Sequence, residues 1–248
     1  MSDAMRAATV RMRGAGDDDV EAYLAEPLDG LPVGGVVVIQ HMPGYDESTM
    51  EIVRRFAAHG YLALCPNLYW REAPGANPED AAALARARGG VPDDRLVGDV
   101  DGAMRHLRSL PSSNGKVAVI GFCSGGRQAF LVACSLDLDA AIDCYGAYVV
   151  ATPPEDSVLR GVRPAVDLAG KLSCPLLGLF GDDDRMPSPA EVAALAEALT
   201  AYGKTFEFHS FPDAGHAFLA TSRDAYRPAA ARAGWERIWA FLRPHLAI

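Results

Sequence analysis

Short apolar runs alternate with longer helical segments along most of the chain. Residues 36–39 and 175–180 are almost entirely apolar, which is typical of strands that are covered on both faces. Residues 92–110 instead repeat their apolar side chains at helical spacing. Strands that alternate with helices of this length usually pair in parallel through right-handed crossovers. The sequence therefore predicts an α/β fold with a doubly wound, mostly parallel sheet of about eight strands.

The predicted elements follow a regular order. The strands are expected at residues 6–13, 20–26, 36–40, 61–65, 116–121, 140–144, 175–180 and 206–211, and the helices at residues 47–59, 92–110, 124–134, 188–202 and 228–242. The first two strands flank a polar turn and are expected to form an edge hairpin. No repeat or low-complexity linker interrupts the pattern, so residues 1–248 are predicted to form a single domain. Residues 152–170 are expected to be an insert that serves as a lid or as a partner surface.

Composition argues against several classes of function. The net charge is −9, which disfavours binding to the phosphate backbone of nucleic acids. No apolar stretch approaches the roughly 20 residues that a membrane span needs, and the N-terminal residues contain no apolar signal core. The five cysteines include no Cys-x-x-Cys pair, which predicts reduced thiols, a cytoplasmic location and no zinc site. We expect a monomer or a homodimer.

A cysteine lies on a glycine-rich turn between a predicted strand and a predicted helix. Residues 121–126 read GFCSGG, the G-x-S-x-G nucleophile elbow with Cys123 in place of serine. Glycines at 121 and 125 leave room for the sharp turn. The positive end of the following helix lowers a thiol pKa and can receive an oxyanion. The motif therefore predicts that Cys123 is a nucleophile, the alternative being a buried cysteine in a glycine-rich turn.

An acid and a histidine follow downstream in the order that this elbow requires. Asp182, Asp183 and Asp184 follow the strand at 175–180, and His216 follows the strand at 206–211. In open α/β sheets, functional residues lie beyond the carboxyl ends of strands. His216 is predicted to act as general base and acid, and an aspartate to orient its imidazole. We favour Asp184 as that aspartate and keep Asp183 as the alternative.

With these motifs in place, the chain resembles the dienelactone hydrolase family, the carboxymethylenebutenolidases and their relatives. The resemblance extends from about residue 36 to residue 242 and is carried by residues 60–69 (GYLALCPNLY), 113–117 (SNGKV), 121–126 (GFCSGG) and 214–218 (AGHAF). It implies the α/β-hydrolase fold, a three-layer αβα sandwich. It also implies hydrolysis of a small ester or lactone through a thioester, without a metal or an organic cofactor.

The resemblance also assigns residues around the nucleophile. It places the oxyanion hole at the backbone N–H groups of Met42 and Ser124. Where dienelactone hydrolase has a glutamate that contacts the resting cysteine, this chain has His41, which we expect to partner the thiol or to line the pocket. Trp70, Arg71, Tyr145 and Tyr148 follow predicted strands and are expected to line the substrate pocket, the alternative being ordinary packing.

One difference from the family concerns the substrate. Dienelactone hydrolase holds the substrate carboxylate with arginines, one of which lies shortly after the catalytic histidine. The matching residues 219–221 (LAT) contain none, and Arg223 lies further on. Without such a clamp an anionic lactone loses a charge-assisted contact, so the natural substrate is expected to be a different ester, lactone or thioester.

Two other functions compete with hydrolysis. The chain could be a ligand-binding or regulatory protein on a hydrolase scaffold, which binding without turnover would reveal. Alternatively, Cys123 could be a redox sensor, since a thiol at a helix N-terminus oxidises readily. The sequence shows no neighbouring cysteine that would resolve the oxidised form, so we rank this interpretation lowest.

Overall fold

The computed structural model describes residues 5–28, 32–154 and 163–247. The strands are β1 (Met5–Arg13), β2 (Asp19–Pro27), β3 (Val33–Ile39), β4 (Leu62–Pro66), β5 (Ser113–Phe122), β6 (Ala140–Cys144), β7 (Leu176–Gly181) and β8 (Phe206–Phe211). The helices are α1 (Glu47–Ala58), α2 (Pro78–Ala87), α3 (Asp93–Ser109), α4 (Ser124–Ala133), α5 (Pro189–Ala201) and α6 (Pro228–Leu246). Short 3-10 helices cover Ala15–Asp17 and Ala165–Lys171.

The eight strands form one sheet in the order β1-β2-β4-β3-β5-β6-β7-β8. Strands β1 and β2 pair antiparallel across their whole length, as the predicted hairpin requires, and β2 also pairs antiparallel with β4. The pairs β3–β4, β6–β7 and β7–β8 are parallel. The α/β class and the mostly parallel eight-stranded sheet are thus confirmed.

The chain divides into two compact units, Met1–Val119 with Leu246–Ile248, and Ile120–His245. In the first unit, α1 and α3 both pack on the strands β3 and β4. Helix α1 is fixed at its start by Asp46, whose side chain accepts a hydrogen bond from the N–H of Thr49. The strands β3 and β4 are completely buried, so the centre of this unit is an apolar core.

In the second unit, α4 packs on β6, and α5 packs on the 3-10 helix at Ala165–Lys171. Strands β6 and β7 are completely buried. Helix α5 begins with a reciprocal capping box between Ser188 and Glu191. Each strand of this unit is followed by a loop that carries one of the polar residues discussed below.

Several elements differ from the expectation: β5 begins at residue 113 instead of 116, and α6 ends at residue 246 instead of 242. Helix α2 was not predicted, although Asn77 caps its start and Pro78 occupies its first turn. Strand β3 begins three residues earlier than predicted, because it includes Gly34 and Gly35. A Cβ at Gly34 would lie 2.6 Å from the Cβ of Leu246. The glycines therefore permit close packing there, although glycine has a low strand propensity.

The predicted insert at 152–170 is only partly described. Residues 155–162 lie outside the described residues, and the remainder includes the short 3-10 helix at Ala165–Lys171. The single-domain organisation and the lid or partner role of this segment stay predictions. None of the helices within the described ranges combines the length and the apolar character needed to cross a bilayer.

Candidate active site

Cys123 lies at the junction between β5 and α4 in a strained backbone conformation. Its φ is 57° and its ψ is −120°, a region that residues with a side chain rarely adopt. Its N–H donates to the carbonyl of Cys144 (3.1 Å), and its own carbonyl accepts from the N–H of Gly126 (2.9 Å). The half-buried thiol is thus held on a sharp turn at the N-terminus of a helix, as the elbow motif predicts.

Glycine is required on both sides of this turn. A Cβ at Gly121 would lie 1.8 Å from the carbonyl oxygen of Gly125, and a Cβ at Gly126 would lie 2.3 Å from a carboxylate oxygen of Asp143. Neither position accepts a side chain without moving backbone or a buried carboxylate. The elbow is therefore packed against the end of β6 as closely as backbone atoms allow.

The three consecutive aspartates after β7 differ in their surroundings. Asp182 and Asp183 are exposed, whereas Asp184 is 5% exposed. One carboxylate oxygen of Asp184 accepts from the N–H of Met186 (2.8 Å), and the other lies 2.9 Å from Nδ1 of His216. Asp184, the aspartate that the sequence analysis favours, is therefore the member of the cluster that lies against the histidine.

His216 interacts both with this carboxylate and with Cys123. Burial alone would lower its pKa, but hydrogen bonds and charge interactions with Asp184 and Cys123 outweigh burial and raise the pKa to about 10. The imidazole is therefore stabilised in its protonated form by a carboxylate at Nδ1 and by the sulfur of Cys123. An arrangement of thiol, imidazole and carboxylate of this kind is chemically able to move a proton between the thiol and the imidazole.

Tyr145 packs against the histidine from the loop after β6. Its ring meets the His216 ring edge-on at 5.3 Å and the Phe218 ring at 5.5 Å. Tyr145 is 2% exposed, and burial raises its pKa well above the usual value. The phenol therefore stays neutral, and its ring packs against the imidazole of His216. Tyr148 is half-buried three residues later, and both tyrosines have a positive φ.

The sequence interpretation missed Asp143, the penultimate residue of β6. Its side chain is fully buried, and Oδ1 accepts from the N–H of Gly146 at 2.7 Å. Burial raises its pKa to about 7, although the Gly146 N–H and the charge of His216 oppose this shift. The signal that could have revealed it is a single acidic residue inside an otherwise apolar strand.

His41 and Met42 lie in the first unit, in the loop after β3. Nε2 of His41 lies 3.2 Å from a carboxylate oxygen of Asp46, and Nδ1 lies 3.4 Å from the hydroxyl of Thr49. Burial raises the pKa of Asp46, but the interactions with His41 and Thr49 outweigh it and leave the pKa lowered. His41 is thus anchored to the start of α1, and the sulfur of Met42 contacts Arg86.

Trp70 and Arg71 make contacts within the first unit that account for their positions. The guanidinium of Arg11 lies 4.0 Å above the ring of Trp70. Arg71 donates two hydrogen bonds to the buried Asp99 (2.8 and 2.9 Å) and one to Asp18 (2.8 Å). Because its donors are used in this way, the geometry favours the packing alternative for Arg71.

The other four cysteines are all buried. Burial raises the pKa of Cys134 and Cys174 to about 12 and raises that of Cys65 and Cys144 further. These thiols are poor nucleophiles because only the thiolate reacts. In the part of the chain that the structure describes, no three His, Cys, Asp or Glu side chains are grouped as metal ligands would be.

Comparison with known proteins agrees with this architecture. Residues 20–246 match the dienelactone hydrolase family. A provisionally named carboxymethylenebutenolidase of Salmonella typhimurium is 38% identical over 89% of this chain and 81% of its own length. The carboxymethylenebutenolidase of Pseudomonas putida is 32% identical over 86% of each chain.

A crystal structure from Klebsiella pneumoniae, provisionally named a dienelactone hydrolase, superposes with a TM-score of 0.85. It is 31% identical, and the match covers 96% of this chain and 98% of that one. Family, relatives and fold agree over nearly the whole length. The chain therefore belongs to the dienelactone hydrolase family and has the α/β-hydrolase fold of that family.

Proposed function

We propose that the protein hydrolyses a small ester or lactone, with Cys123 as nucleophile, His216 as general base and acid, and Asp184 as the orienting carboxylate. The observation that carries the proposal is the 2.9 Å contact between Asp184 Oδ2 and His216 Nδ1, with the sulfur of Cys123 interacting with the same imidazole. These contacts support the proposal because a nucleophilic triad needs its base in contact with both the nucleophile and an orienting carboxylate.

The first half of the reaction forms a thioester. His216 holds the proton of Cys123, and the thiolate attacks the carbonyl carbon of the substrate. A C–S bond forms and the carbonyl oxygen becomes an oxyanion. When the intermediate collapses, the C–O bond to the alcohol breaks, and the imidazolium of His216 gives its proton to the leaving oxygen.

The second half regenerates the enzyme. His216, now neutral, takes a proton from water, and the hydroxide attacks the thioester carbonyl. The C–S bond breaks and releases the acid with Cys123 as thiolate, which again pairs with the imidazolium. Asp184 keeps Nδ1 protonated throughout, because its carboxylate accepts a hydrogen bond from that atom.

The oxyanion donors are proposed from the family resemblance. Ser124 is the first residue of α4, and the first N–H groups of a helix have no acceptor within the helix. Met42 is the second proposed donor, from the loop after β3. Such donors favour the transition state because the negative charge on oxygen develops only there.

Arg223 is proposed to recognise a negatively charged group of the substrate. Positive charge on Arg223 lowers the pKa of Tyr145 and partly offsets the large effect of burial, so its field reaches the residue that packs on His216. A substrate carboxylate would gain from this field. We expect Arg223→Gln to raise KM for an anionic lactone at least several-fold and to leave a neutral acetate ester unchanged; equal effects on both would argue against this role.

The deciding experiment combines turnover of p-nitrophenyl acetate with intact mass spectrometry. Wild type should accumulate a single acetyl adduct during turnover, whereas Cys123→Ala should form none and lose activity. Cys134→Ala is the matched control, because Cys134 is buried and is not part of the triad. It should acylate like wild type.

Other outcomes would point to the competing functions. Binding of esters without an adduct in wild type would favour a ligand-binding protein. A redox sensor would be favoured if peroxide oxidised Cys123 reversibly and no activated ester acylated the protein. The free state of all five cysteines supports a reducing, cytoplasmic location as part of the proposal, and sedimentation would distinguish the proposed monomer from a homodimer.

A further inference from the structure

Asp143 occupies an unusual place for a charged residue. It is the penultimate residue of β6, and its side chain is fully buried. Oδ1 accepts a hydrogen bond from Gly146, while Oδ2 has no hydrogen-bond partner among the described residues. Burial of a carboxylate with one unsatisfied oxygen is costly. A residue that incurs this cost next to the proposed triad calls for an explanation.

The turn held by Asp143 contacts both the nucleophile and the histidine. The carbonyl of Cys144 accepts from the N–H of Cys123, and the ring of Tyr145 packs on the ring of His216. Asp143 closes this turn through its hydrogen bond to Gly146. The packing is tight, because a Cβ at Gly146 would lie 2.4 Å from the Asp143 carboxylate.

Several charged and titratable side chains surround Asp143. It lines a cavity with room for about one water molecule. The titratable or charged residues on the elements around it are Cys123 and Arg127 at the start of α4, Cys144 and Tyr145 at the end of β6, Asp184 after β7, Glu191 on α5 and His216 after β8. Glu191 is committed to the capping box with Ser188. The charge of His216 favours ionised Asp143, and by reciprocity ionised Asp143 favours protonated His216.

We propose that Asp143 is a positioning residue for the thiolate–imidazolium pair, holding the 144–146 turn under Cys123 and His216 and supplying a negative charge that supports the protonated imidazole. The inference rests on the proposed function, which gives the thiolate–imidazolium pair its catalytic role. The effect of pH on the electrostatic support from Asp143 follows from the ionisation of its carboxyl group. Below about pH 7 the carboxyl is neutral and the support is lost; above about pH 7 it is present.

The test compares wild type with Asp143→Asn, which keeps an acceptor for the Gly146 N–H but has no charge at any pH. The readout is the rate at which iodoacetamide alkylates Cys123. In wild type, the rate should show an added rise through about pH 7. Asp143→Asn should not show this rise. Above about pH 7 its alkylation rate should be about 3- to 10-fold lower than that of wild type. Asp182→Asn, an exposed neighbour of the triad, should alkylate like wild type.

Wild-type protein alone also gives a readout if Asp143→Asn fails to fold. The ring signals of His216 in NMR should report a second titration step near pH 7, in addition to the titration of the imidazole itself. Superimposable alkylation profiles in the folded variant, or no such step in wild type, would overturn the inference.

Neither readout requires turnover, so each of the two proposals can be disproved independently of the other. If esters are hydrolysed through Cys123 but the alkylation profiles coincide, only the role of Asp143 is wrong. If no ester acylates Cys123 but the step near pH 7 disappears with Asp143→Asn, the positioning role stands and the hydrolase proposal fails.

Discussion

Asp184 binds His216 with one carboxylate oxygen and the backbone N–H of Met186 with the other. The second bond fixes the carboxylate plane, so the first reaches Nδ1 of the imidazole in one orientation. Burial of the Asp184 side chain (2% exposed) removes water that would compete for either oxygen. Asp184 therefore differs from Asp182 and Asp183 in its surroundings, and not only in its place in the run of three aspartates.

Replacing Asp184 by Asn should remove the charge but keep the shape. We expect kcat for p-nitrophenyl acetate to fall by about 10² to 10⁴, and the pKa of His216, measured by NMR, to fall from its value of about 10. Asp183→Asn is the matched control, since Asp183 is exposed. Equal losses in the two variants would contradict the assignment of Asp184.

The raised pKa of His216 predicts a pH dependence of stability. Its folded-state pKa is about 10, against 6.5 for a free histidine. Protonated His216 therefore stabilises the fold fully below about pH 6.5, and this contribution is lost as the pH rises through about 10. The free energy of unfolding, measured in urea across this window, should decline more steeply for wild type than for His216→Gln. Cys123→Ala should show an intermediate slope, because it removes one of the two partners of the imidazole.

Gly121 should tolerate no side chain, because its Cβ would lie 1.8 Å from the Gly125 carbonyl oxygen. We expect Gly121→Ala to lower the free energy of unfolding by about 3 kcal/mol or more. Gly215, next to His216, offers the matched control: a Cβ there meets nothing closer than 3.7 Å. Thermal denaturation should find Gly215→Ala close to wild type, and a stable, active Gly121→Ala would be incompatible with this elbow geometry.

Arg71 should act on stability and not on substrate. Arg71→Met leaves Asp99 fully buried without its cation, which should cost about 3 to 5 kcal/mol, while KM of the remaining folded protein stays unchanged. Arg105→Met is the control, because Arg105 pairs on the same helix with Asp101, which is only partly buried, and its loss should cost below about 1 kcal/mol. A stable Arg71→Met with a raised KM would instead make Arg71 a pocket residue.

The fold was largely predictable because its strongest signals are local. Strand β6 and strand β8 have the predicted bounds, and the elbow around Cys123 needs only its neighbours in sequence. Glycines were the main source of error, since Gly34 and Gly35 form part of a strand for a reason that lies in the packing of distant side chains.

The surroundings of the site were less predictable. The sequence favoured Asp184 but left Asp183 open, because the burial that distinguishes Asp184 comes from packing that the order of residues does not show. Arg71 was expected either in the pocket or in ordinary packing, and the sequence could not choose because its partner Asp99 lies 28 residues away on α3. Asp143 was overlooked, since a single acid in a strand gains meaning only from the turn that it closes.

The burial of four cysteines has a practical consequence. A chain with five thiols, four of them enclosed and held as S–H, should behave toward alkylating reagents as though it had one. A fluorophore or an electrophilic substrate analogue added to the native protein would then mark the active site with unit stoichiometry, and a second equivalent of label would appear only as the molecule unfolds. The ratio of label to protein would thereby report the integrity of the fold, because only Cys123 reacts while the other four thiols stay buried.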